Sequence, residues 1–120
     1  MSLTIVKQEV ATLVSSVVPT HPYLPERFNP NVAFVTPGSP YLQSGLTYGK
    51  FLAKFNIDVV IAPQSNEEAT KALDEIVNDI VTLLLSEGYG INQVGQPYPL
   101  ESQNTTFLAI TIEIETLVSL

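Results

Sequence analysis

Three carboxylates are spaced so that they could act together. Glu113 and Glu115 stand two residues apart in an alternating apolar/polar stretch at residues 107–118, which puts both on the same side of one strand. Asp58 occupies the polar side of a second alternating stretch, residues 50–62. If the two strands lie side by side, three hard oxygen ligands would converge as the beginnings of a divalent-cation site. A plainer reading is a solvated strand face on which Lys54 pairs with the acids across strands. The plainer reading is preferred, so no metal and no other cofactor is expected.

The remaining catalytic chemistry is sparse. His21 is the single histidine and lies in a proline-rich connector, with Glu26 and Arg27 near it in sequence only; it reads as a loop histidine without an acid/base role. The chain has no cysteine, which removes thiol nucleophiles, zinc-thiolate sites and disulfides. The Gly-Tyr-Gly at residues 88–90 follows a helix signal instead of preceding one, so its backbone donors have no helix start from which to cradle phosphate. The expectation is a protein that is not an enzyme.

The elements that would position these residues follow from periodicity. Val6, Val10, Leu13, Val14 and Val17 recur at spacings of three and four, predicting a helix over residues 2–18 that Pro19 ends. Pro19, Pro22, Pro25 and Pro30 then exclude regular structure from an extended connector. Residues 32–35 make a short apolar strand. Residues 36–49 have no periodic pattern and read as a long loop.

Residues 50–62 carry the cleanest strand signal, with Phe51, Ala53, Phe55, Ile57, Val59 and Ile61 on one face and Lys54, Asn56 and Asp58 on the other. Ser65 to Glu68 is a capping-box pattern. It opens a helix whose stripe runs from Ala69 through Leu84 to a stop at Gly88. A weak strand at residues 92–98, a polar turn at residues 101–104 and the strand at 107–118 complete the chain. The expected fold is a single α+β domain over residues 1–120. It is an antiparallel four-stranded sheet with two helices packed on one face, in the order α-β-β-α-β-β. Its edges would be open to neighbouring chains.

With twelve acidic residues against five basic ones, the net charge is −7, and Lys7, Arg27, Lys50, Lys54 and Lys71 are scattered. Such a surface repels phosphate backbones and disfavours sequence-independent nucleic-acid binding. No apolar run approaches the length of a bilayer span, and Lys7 and Glu9 interrupt the first apolar stretch, so a soluble protein without a signal peptide, intracellular when made, is expected.

Several large apolar residues fall outside every periodic element: Tyr23, Leu24 and Phe28 in the connector, Tyr41, Leu42, Leu46 and Tyr48 in the long loop, and Tyr98 beside the weak strand. Tyrosine offers a large contact area with a polar tip and suits interfaces. These eight residues are the candidate subunit interface, although packing over the sheet ends would also account for some of them.

The connector with NPNVAFVTPGSPY, the helix NEEATKALDEIVNDIVTLLLSEGY and the stretch INQVGQPYPLESQNTTFLAITIEIE, in this order, resemble the small tail terminator (tail completion) proteins of long-tailed bacteriophages. The resemblance covers most of the chain and rests on element order, loop placement and acidic character. It implies a homo-oligomeric ring, usually of six subunits. The ring ends tail-tube polymerisation and offers a joining surface to neck or head-completion proteins. It also implies a place in the virion tail after assembly in the host cytoplasm, DNA passing without specific binding, no membrane, and no catalytic residues. Asp58, Glu113 and Glu115 would line the lumen if the open sheet face borders the channel. Three other readings remain: a head-tail connector or stopper component, a small-molecule-binding two-layer α/β regulatory domain, and a metal-dependent enzyme built on the carboxylate face.

Overall fold

The computed structural model describes residues 2–24, 29, 31–45, 48–62, 66–102 and 104–119. In chain order the elements are α1 (Leu3–Val14), β1 (Thr20–His21), β2 (Val32–Ser44), β3 (Lys50–Ile61), α2 (Asn66–Ser86), β4 (Gly90–Val94), β5 (Tyr98–Ser102) and β6 (Thr105–Ser119). Period-two patterning in β3 and β6 organises the rest. The two strands pair antiparallel from Lys50↔Ser119 to Ile61↔Leu108, and their apolar sides fall on one face. Ala53, Phe55, Ile57, Val59, Ile61, Ile110, Ile112 and Ile114 are buried there beneath Val6, Val10 and Val14 of α1 and Leu73, Ile80 and Leu84 of α2. Both helices therefore lie on the same side of the sheet.

The expected four-stranded antiparallel sheet in the order α-β-β-α-β-β is not what forms. The sheet is six-stranded and mixed, with the order β1-β2-β3-β6-β4 and with β5 also on β6. Two local causes account for the difference. The proline connector contributes β1, which runs parallel to β2 through Thr20↔Ala33 and His21↔Phe34. Pro19 and Pro22 only flank this pair, and a residue preceding proline is already held extended. The carbonyl of Pro19 accepts from the Ala33 N–H at 2.9 Å. At the other edge, the stretch read as one weak strand is two. β4 pairs with residues 112–115 of β6 and β5 with residues 105–109, end to end along one long partner. Gly95 to Pro97 interrupts the ladder between them, although the Gly95 N–H still reaches the Thr111 carbonyl at 2.8 Å.

Residues 36–49 are also mostly strand. β2 continues to Ser44, and its register against β3 jumps from Pro37↔Phe55 to Leu42↔Ala53. β2 thus spends five residues where β3 spends two, a bulge that erases any alternation a reader could detect. Gly38 sits in the bulge against Lys54, whose backbone would lie 2.8 Å from a Cβ at this position. The bulge turns Tyr41 and Leu42 back onto the main core. At about 3.3 Å per residue, the fifteen-residue β6 spans roughly 50 Å, which accounts for the 50 Å long axis of the molecule.

The helix ends are set by local chemistry. Ser2 is the N-cap of α1, its Oγ accepting from the Ile5 N–H at 3.2 Å. The helix stops at Val14, short of the expected Val18. Ser15 and Ser16 turn their hydroxyls onto the carbonyls of Ala11 and Leu13, at 2.7 and 2.8 Å, and close the last turn. α2 ends with Gly88 at φ +88°, while the Tyr89 N–H reaches back to the Leu84 carbonyl at 3.0 Å. This is a Schellman-type stop. The expected cap at Ser65 lies outside the described residues.

Candidate functional site

The sheet face turned away from the helices changes character along its length. At one end, Val32, Phe34, Val60, Phe107 and Ala109 form a second buried cluster with Tyr98 and Leu100 packed against it. His21 is stacked on Phe34, with ring centroids 6.1 Å apart, and Tyr23 lies 5.9 Å from His21. Farther along, the face carries Lys54, Asn56, Asp58, Thr111, Glu113 and Glu115, all half-buried.

A hydrogen-bonded ladder crosses four strands at the boundary between the two zones. Thr111 Oγ1 donates to Asp58 Oδ1 at 2.7 Å, and Thr36 Oγ1 donates to Asp58 Oδ2 at 3.1 Å. Because the Thr111 proton is committed to Asp58, the Tyr98 hydroxyl is the donor in its 3.3 Å contact with Thr111 Oγ1. Both Asp58 oxygens thus accept from hydroxyls, and the side chain is a structural acceptor tying β2, β3 and β6 together.

The three carboxylates considered for a cation are not brought to one point. Asp58 faces Thr111 in the register, whereas Glu113 faces Asn56 and Glu115 faces Lys54. Glu113 additionally accepts from the Gln93 side-chain amide on β4. Among the described residues, no group of three or more His, Cys, Asp or Glu side chains is arranged to hold a metal ion.

The candidate interface residues divide into two groups. Tyr41 and Leu42 pack against the main core, with Tyr41 edge-on to Phe55 at 5.8 Å and the Lys7 ammonium 5.3 Å from the Tyr41 ring centroid. Tyr98 belongs to the second cluster and the ladder. Tyr23, Leu24 and Tyr48 point outward, Tyr48 fully so in the turn between β2 and β3. Phe28 and Leu46 lie outside the described residues.

Other outward apolar side chains sit inside regular elements but outside the core stripes. They are Ile5 on α1, Leu85 on α2, Val94 on β4 and Leu117 on β6. Leu117 was detectable, because it shares the parity of Glu113 and Glu115. Ile5 was detectable as well, because it falls off the stripe formed by Val6, Val10 and Val14.

Ile5 borders a groove of about 460 Å³ between α1 and the end of α2, lined also by Gln8, Glu9, Thr12, Leu13 and Glu87. Beside it, the Tyr89 phenol is held above its ordinary pKa, first by burial and then by the negative charges of Glu9 and Glu87. Among the described residues neither Glu9 nor Glu87 has an ion-pair partner, in contrast to Glu67, which meets Lys71 at 3.3 Å.

No family model matches the chain, and no curated protein matches it significantly.

Proposed function

We propose that this chain is a structural protein of a phage tail, in the manner of a tail terminator. Its copies close into a ring, six by the resemblance, which ends the growth of the tail tube and joins the neck or head-completion proteins. The observation carrying this reading is the placement of outward apolar side chains at separate positions of the fold: Ile5 on a helix, Tyr48 between β2 and β3 and Leu117 on a strand. Distinct patches of this kind suit a heterologous contact, in which one surface of a subunit meets a different surface of the next, and such a contact yields a closed ring when its rotation closes. The net charge of −7 agrees with a channel that lets DNA pass without adhering. With Asp58 occupied by hydroxyls, Glu113 and Glu115 are the carboxylates left to give the open face its charge.

The test is the solution mass of the purified protein by light scattering, with and without magnesium, followed by electron microscopy of negatively stained particles. A mass near six subunits with ring-shaped particles is the expected result. A monomer under all conditions, together with no binding to preformed tail tubes, would remove the proposal.

A further inference from the structure

The groove between α1 and the end of α2 has a mainly apolar floor, supplied by Ile5 and Leu13, and carries two carboxylates, Glu9 and Glu87, that have no ion-pair partner among the described residues. Nothing described in the same chain fills it. The turn between β2 and β3 has the complementary character. Tyr48 is fully exposed, Lys50 beside it is exposed, Gly49 has φ +77° and the Gly45 N–H donates to the Lys50 carbonyl at 2.9 Å. Neither Tyr48 nor Lys50 lines the groove of its own chain.

We infer that the groove receives the β2–β3 turn of a second copy of this chain, with the Tyr48 ring on Ile5 and Leu13 and the Lys50 ammonium against Glu9 and Glu87. The pairing rests on the ring reading above and specifies the contact that would build it. An aromatic ring with a polar tip is well suited to an apolar floor bordered by polar groups. The ammonium would sit between two like charges that have no counter-charge among the described residues, so docking relieves their mutual repulsion as well as adding attraction. Because turn and groove are different surfaces, a docked pair still offers one free turn and one free groove. The contact therefore propagates from copy to copy until it closes.

The chain has no cysteine, so introduced thiols report this contact directly. Tyr48→Cys protein is mixed under mild oxidation with Gln8→Cys protein and, separately, with Thr70→Cys protein, whose thiol sits on the exposed side of α2. The expected result is a mixed disulfide with Gln8→Cys at roughly tenfold or greater yield over the Thr70→Cys control. Lys50→Glu should weaken self-association by roughly tenfold, and the combination of Lys50→Glu with Glu9→Lys and Glu87→Lys should restore it. Equal yields with both partners, or no mixed disulfide, overturn the contact. If the wild-type mass is that of a ring while the Gln8 disulfide is absent, the ring stands and this contact fails. If the disulfide forms while the wild type stays monomeric on its own and on tubes, the contact stands and the ring fails.

Discussion

Thr111 and Asp58 face each other across the β3–β6 pair, and the hydroxyl of the first donates to the carboxylate of the second at 2.7 Å. With Thr36 bound to the other oxygen, one acidic side chain gathers donors from both neighbouring strands. Asp58→Ala should lower unfolding stability by about 1 to 2 kcal/mol in urea denaturation, since two hydroxyls lose their acceptor in a half-buried setting that water only partly repairs. The double variant Asp58→Ala with Thr111→Val should lose less than the sum of the single losses.

Two glycines are needed for different reasons, and alanine separates them. Gly88 is in the left-handed region with open space around it, so Gly88→Ala should cost about 1 kcal/mol from backbone strain alone. Gly38 is pressed against the Lys54 backbone. Gly38→Ala should therefore cost more, about 1 to 3 kcal/mol, and shift amide resonances across the β2–β3 pair in NMR spectra.

Position relative to the core, more than residue size, should decide which aromatic substitutions destabilise the chain. Phe55 is fully buried between the sheet and the helices, and Phe55→Ala should cost about 3 to 5 kcal/mol. Tyr48→Ser should change unfolding stability by no more than about 0.5 kcal/mol. Denaturant melts of the two variants at low protein concentration provide the comparison.

Tyr89 predicts a limit at high pH. Its pKa is raised above 10.0 in the folded protein by burial and by Glu9 and Glu87. Above pH 10 the unfolded chain gives up this proton before the folded one does, so the stability present below pH 10 is lost as pH rises through the folded-state value. Tyr89→Phe should remove that component. Urea midpoints measured from pH 9 upward in both proteins would show the difference.

Much of the layer structure was legible in the sequence, because β3 and β6 alternate cleanly and α2 keeps one stripe from Ala69 to Leu84. The strands that were missed or only partly read are those that are very short or in which alternation is broken. A bulge at Gly38 to Tyr41 divides β2, Gly95 to Pro97 separates β4 from β5, and β1 is two residues long. The site residues behaved similarly. Asp58, Glu113 and Glu115 were placed on one face by parity, but the partners that determine what they do, Thr36 and Gln93, lie on strands disguised by those breaks. Tyr41 and Leu42 looked like loop residues for the same reason and proved to be part of the packing.

The prolines of the sheet margins also bear on how the protein behaves when abundant. Pro37 and Pro40 interrupt the donor row of β2, and Pro99 interrupts that of β5 on the opposite margin, so these two border strands offer no unbroken template to an incoming strand. Edge-to-edge pairing of folded copies is disfavoured along these strands, which leaves side-chain recognition the larger part in deciding which surfaces meet.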